Sequence, residues 1–369
     1  MPLQGAQHTV RRLAVAGSRR RRRRGRTGGL LERRRTGRRR HRLARAVTRG
    51  RGRSPLRGLP PEARPALDRL YRQFDGRADI ADPIHRVRRY HTSRDLEVAG
   101  YCAAALAFGR VSSVLRSVDA LLGAMGRSPG RFVRRFDPWR DAETVGAITH
   151  RWARGTDLVA LLWILRRMIE THGSIESCFL EGHDPNAEDV AGAIDRFSER
   201  ALATDGLDDV YGARTGGHSV GALSPGDAAP RRGVGYFFPR PSKGSACKRF
   251  NLYLRWMVRR DRLDVGAWSG VRPAQLIVPL DVHVIRVGQC LGLTRYRSPG
   301  LPMAREITAS LRRLDPDDPV KYDFALCHIG MLDRCGFREP RGSADCPLNG
   351  WCRPRRRRLQ RFRSPSGRR

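Results

Sequence analysis

Residues Pro239–Arg260 read PRPSKGSACKRFNLYLRWMVRR, a turn (Pro241-Ser242-Lys243-Gly244) that runs straight into an apolar-periodic stretch. Ser245 is the natural N-cap, which predicts a helix over Ser245–Arg260 and puts Lys248 in its first turn. Phe250, Leu252, Leu254, Met257 and Val258 recur at helical spacing and form the expected core face. The backbone N–H groups of the Lys243-Gly244-Ser245 turn and the positive end of the helix suit a phosphate. Arg249 and that helix end are poor neighbours for an ammonium, and a lysine acting as covalent nucleophile needs the free amine. The plainer reading of Lys248 is one more surface cation.

Thirty-three residues further on comes IVPLDVHVIRVGQCLGL, Ile277–Leu293. Pro279-Leu280-Asp281 ends an extended run, and Asp281 stands where the N-cap of a helix over Val282–Leu291 belongs. Capping alone explains Asp281. A carboxylate at a helix start facing a cleft also stabilises a developing cation and takes a proton from a lysine. His283 is expected to be a structural hydrogen-bonder. Near the C-terminal end, CGFREPRGSADCPLNGWC holds Cys335, Cys346 and Cys352, with Pro347 and Gly350 as turn residues. Thiols gathered on a short loop are the raw material of a zinc or iron–sulfur site, yet no CxxC pair is present: Ser343 stands where one would need its first cysteine.

Working outward, the same periodicity predicts helices over Asp95–Phe108, Val111–Met125, Asp157–Thr171, Asn186–Thr204, Met303–Leu314 and Val320–Asp333. Asp157 is the expected cap of its helix. Residues 205–242 collect Gly, Pro, Asp and Ser and read as a long loop. Period-2 strands are scarce, so the fold class is all-α, in two lobes, over residues 58–352. No apolar run exceeds the eight residues of Leu158–Leu165, far short of the roughly 20 that span a bilayer.

Charge divides the 369 residues sharply. The total is +37, and 70 of the 73 cations are arginines, since Lys243, Lys248 and Lys321 are the lysines. Residues 1–57 carry +20 and residues 353–369 carry +9, which leaves +8 for 58–352. Both tails are expected to be disordered and, where translated, to hold polyanions through salt-sensitive phosphate contacts. With no apolar leader and ordinary cysteine usage, the expected setting is cytoplasmic, without a membrane partner.

At this point a resemblance can be stated. The stretches SKGSACKRFNLYLRWMVRRD, PLDVHVIRVGQCLGL and DPDDPVKYDFALCHIGM resemble a bacterial family catalogued as a domain of unknown function. Through it the chain resembles the helix-hairpin-helix DNA glycosylases of the endonuclease III and MutY type. Leu280-Asp281-Val282-His283-Val284-Ile285-Arg286 is similar to the superfamily segment that holds the catalytic aspartate. The resemblance implies a two-lobed helical glycosylase fold and base excision from double-stranded DNA. Asp281 would stabilise the sugar cation, and Lys248 would act as nucleophile in an enzyme that is also an AP lyase. Its spacing to Asp281 is more similar to the archaeal 8-oxoguanine glycosylases. Lys243, Gly244, Ser245, Arg249 and Arg286 would hold DNA. The usual L-P-G-(V/I)-G hairpin signature is absent, and Pro241–Ala246 replaces it.

Cys335, Cys346 and Cys352 match three of the four cluster ligands of that superfamily, Ser343 takes the place of the fourth, and a degenerate iron–sulfur site is implied. Cys327 is a substitute ligand. Trp256, Tyr253 and Phe237 are candidates to stack on a base, with core packing the commoner use of each. A monomer associated with the nucleoid, taking no small-molecule substrate, completes the expectation. The alternatives are a non-catalytic nucleic-acid-binding protein that retains the fold, and RNA binding through the arginine tails.

Overall fold

Helix α3 (Ser93–Ala105) buries every residue from Asp95 to Ala105, so the rest of the structure is arranged around it. A helix apolar on all sides has to be enclosed by others. In this computed structural model α3 packs against five of them: α2 (Ile84–Val87), α4 (Val111–Met125), α5 (Pro129–Arg135), α8 (Ile175–Leu180) and α12 (Lys248–Val258). The α3–α12 approach is close at Gly100, where an added Cβ would come within 2.7 Å of the Met257 methyl and that side chain would have to shift. A second hub is α7 (Gly155–His172), which gathers α6 (Ala142–Gly146), α9 (Ala191–Leu202), α10 (Leu207–Gly212) and α11 (Arg232–Gly235). The third group joins α1 (Arg64–Phe74) and α13 (Val282–Cys290) to α15 (Asp323–Met331), with α14 (Leu301–Arg312) between α13 and α15 in the chain.

The structure describes residues 58–212, 232–331 and 346–352. They belong to one unit, Ser54–Arg369, and contain helices, turns and two isolated bridges but no strand, an all-α body as expected. The tails, Cys335 and Ser343 lie outside the described residues.

Helix boundaries shift where a cap differs from expectation. Asp157 does not start α7. It is the third residue, and its carboxylate accepts the Arg154 N–H at 2.8 Å, so the helix gains its opening turn from Gly155. Ser245 does not cap α12 either. Its hydroxyl accepts the Cys247 N–H at 3.1 Å, Cys247 turns left-handed (φ +48°), and the helix begins at Lys248. The expected loop 205–242 is partly helical, because it contains α10, α11 and the 3-10 turn Pro241–Lys243; residues 213–231 lie outside the described ones.

A buried ionic cluster locks α12 to α15. Arg255, 2% exposed, donates to Asp264 at 3.1 Å and to Asp323 at 2.7 Å. Arg259 bonds Asp264 as well, and reaches Asp261 at 2.8 Å and Asp318 at 2.9 Å. Burial opposes the Arg255 charge, but Asp264 and Asp323 outweigh it and hold its pKa above the ordinary value. Removing one partner from such a set strands a buried charge, which costs about 3–5 kcal/mol. Asp264→Ala is therefore expected to lose that much in urea unfolding. Glu188→Ala, at an 83% exposed carboxylate paired with Arg312, should change stability by less than about 1 kcal/mol.

Candidate functional site

The C-terminal end of α3 leaves carbonyls without helical partners, and cations are favoured there. Lys248 and Arg249, the first two residues of α12, supply them. Lys248 Nζ donates to the Ala107 carbonyl at 3.3 Å and Arg249 Nη1 to that of Ala105 at 3.0 Å. The other Arg249 amine, Nη2, donates to the Tyr236 carbonyl. Its guanidinium also lies over the rings of Phe108 and Trp152, 5.0 and 5.8 Å from their centres. Burial pushes the Arg249 pKa down.

The N-terminus of α13 forms the opposite side. Asp281 Oδ1 accepts the His283 and Val284 N–H groups at 2.9 and 2.8 Å, so the aspartate is the cap that the sequence predicted. Its other oxygen accepts the Cys327 thiol of α15 at 3.0 Å. Burial raises the Cys327 pKa well above the usual thiol range, and the carboxylates of Asp281 and Asp323 push it the same way. The charge of Lys248 pulls it down, less strongly. The sulfur thus lies in the field of Lys248 and in direct contact with Asp281. Sequence reasoning placed Cys327 among cluster ligands; its bond to Asp281 was missed because 46 residues separate the pair.

Behind this line sits Asp323, one helical turn before Cys327. It is 3% exposed, and Oδ1 has no hydrogen-bond partner. Burial, with the charges of Asp281 and Asp264 adding to it, raises its pKa to about 7 against the pull of Arg255.

The remaining sequence-named residues are dispersed. Lys243, Gly244 and Arg286 are exposed and Ser245 half-buried. The turn that carries Lys243 is tied down by Asp195, which accepts both the N–H and the hydroxyl of Ser242, at 2.9 and 2.7 Å. Trp256, Tyr253 and Phe237 are all core residues, 0%, 1% and 3% exposed. Cys346 is buried and Cys352 half-buried. Among the described residues no three His, Cys, Asp or Glu side chains are grouped to hold a metal. Cys335 and Ser343, the other positions of the implied cluster set, lie outside the described residues. No helix among the described residues is long and apolar enough to cross a membrane.

The class that the described residues define is an all-α body with Asp281 capping one of its helices. The chain belongs to the family described as a protein of unknown function, DUF2400, which it matches over residues 82–332. The match takes in Lys248, Asp281, Asp323 and Cys327. No curated protein and no solved structure matches the chain.

The raised pKa of Asp323 has a stability consequence of definite sign. The folded protein holds this proton between about pH 3.8 and 7 while the unfolded chain releases it, so Asp323 lowers stability as pH rises through that window. Burial holds the pKa of His328 below its ordinary value, and it acts in the opposite sense. Comparing wild type with Asp323→Asn isolates the carboxylate. In urea unfolding from about pH 5 to about pH 8 the variant should lose less stability with rising pH than wild type.

Proposed function

We propose that this protein is a DNA base-excision glycosylase in which Asp281 stabilises the sugar cation and Lys248 supplies the amine of an AP-lyase step. The observation that carries this reading is Asp281 at the N-terminus of α13, one oxygen capping the helix and the other on the Cys327 thiol, a sulfur that also feels the charge of Lys248. The similarity of Leu280–Arg286 to the glycosylase aspartate segment supports it, and so does the basic charge of the chain. DNA is bent and a damaged nucleotide is rotated out of the stack. The C1′–N bond breaks with its electron pair leaving on the base, while the Asp281 carboxylate opposes the positive charge on the sugar. Lys248 Nζ then bonds C1′ and passes a proton to Asp281. Ring opening leaves an iminium, and elimination breaks the 3′ C–O bond. A monomer acting on duplex DNA fits this chemistry.

One observation favours a second reading, a nucleic-acid-binding protein without catalysis. Arg249 is spent on the last carbonyl of α3 and Lys248 on that of Ala107 two residues beyond it, which accounts for both as cations at a helix C-terminus.

Borohydride trapping separates the two. The full chain would be offered duplexes carrying 8-oxoguanine, uracil, thymine glycol or an abasic site. A covalent adduct lost in Lys248→Gln is the expected result. Asp281→Asn should lower base release by at least about 10²-fold, and its stability should stay within about 0.5 kcal/mol, since asparagine caps a helix as well as aspartate. DNA bound with neither adduct nor base release on any duplex would overturn the enzyme reading in favour of the binding protein.

A further inference from the structure

We propose that Trp152 and Tyr236 form a stacking platform for an unpaired base of a DNA strand, set beside Lys248. The inference rests on the reading of this chain as a DNA-binding protein. It names residues that neither the family nor the sequence motifs single out.

The first observation is exposure. Trp152 is 41% exposed and Tyr236 55%, although their rings touch at 4.2 Å between centres. The described residues leave six large apolar side chains exposed, and four border the site. Val282 follows Asp281 in the chain, and Met331 lies 3.8 Å from the Cys327 sulfur. Trp152 lies under Arg249, and Tyr236 offers Arg249 its carbonyl. Apolar surface gathered in this way marks a binding surface.

The second observation is geometry. Trp152 stacks on Phe108 at 4.8 Å with the planes 17° apart, whereas Tyr236 meets it at 46°. The tilted pair keeps ring surface of both residues turned to solvent, where a base can stack on the outside of the pair. The Arg249 guanidinium lies over the Trp152 ring and adds a cation–π contribution. Ala107, whose carbonyl receives Lys248 Nζ, immediately precedes Phe108 in the chain. A base on the platform is therefore close to the amine.

The third observation is rigidity. Trp152 stands on a turn closed by His150 and Ala153, which exchange N–H···O bonds at 2.9 Å each way. Arg151 takes the left-handed conformation, φ +56°, to make that turn. The His150 ring is pinned at both nitrogens, to Ser117 Oγ and to the Phe108 carbonyl, each at 2.9 Å. The anchored turn holds Trp152 against Phe108 while 41% of it stays exposed to solvent, so the exposed part is presented in a fixed orientation.

A flat aromatic surface beside a cation recognises a planar π system, and every base offers one. A base inside a duplex has both faces covered, so the occupant is an unpaired one. The test measures binding of the full chain to a fluorescent single-stranded deoxyadenylate oligomer and to a blunt, fully paired duplex of equal length, across a salt series. Trp152→Ala and Tyr236→Ala are expected to weaken single-strand binding about tenfold and leave the duplex unchanged, and Trp152→Phe to retain most of the affinity. The salt slope should stay the same, because no phosphate contact is lost. Single-strand affinity within twofold of wild type would overturn the platform, as would an equal loss on the duplex, a changed slope or no binding to either DNA. The Lys248 adduct is read separately, so the platform and the glycosylase chemistry stand or fall independently.

Discussion

The guanidinium of Arg255 is held inside the protein by Asp264 and Asp323, and the arrangement of the site follows from that contact. Lys248 lies seven residues before Arg255 on α12, two turns away on the same face. Cys327 lies four residues after Asp323 on α15, one turn away on the same face. Pinning Arg255 to Asp323 therefore fixes α12 against α15, and with α15 the Cys327 thiol that bonds the Asp281 cap. Buried ion pairs add little net stability over an apolar replacement of the same shape. Here the pair has a geometric consequence that an apolar contact, free to slide, would lack.

The same residues serve two masters. Arg249 satisfies the last carbonyl of α3 and Lys248 that of Ala107 just beyond it, and Asp281 satisfies the open N–H groups of α13. Each helix end is answered by a side chain of the sign it favours. Cys327 meets Asp281 as a neutral donor, since its thiol is kept protonated by burial and by Asp281.

Much of this was legible in the sequence. Val111–Met125 is a helix from the first predicted residue to the last, stopped by Gly126 at φ +70°, because its apolar spacing and its breaker agree. Asp281 as a cap could be read because capping is a local matter of one side chain and two backbone groups. Other features were not legible, for physical reasons. Asp264 and Asp323 look like surface carboxylates until Arg255 is brought to them from 9 and 68 residues away. The cap of α12 failed because Cys247 adopts a left-handed conformation that its sequence neighbours do not signal. Trp152 and Tyr236 meet across 84 residues, and nothing in either segment tells an exposed aromatic from a core one.

The arginine count of the body also overstates its cationic surface. Arg255 and Arg259 are enclosed by aspartates, Arg249 faces carbonyls, and Arg240, Arg305 and Arg312 are paired with carboxylates. Other guanidiniums are exposed and, among the described residues, paired with no carboxylate, Arg69, Arg94, Arg131, Arg134 and Arg286 among them, and Lys243 is exposed as well. Phosphate contacts set affinity and its salt dependence, whereas base contacts set choice. If the body reads DNA, its discrimination has to come from shape and aromatic surface around Lys248 and Asp281, because exposed guanidiniums on phosphates position a strand and carry no base information.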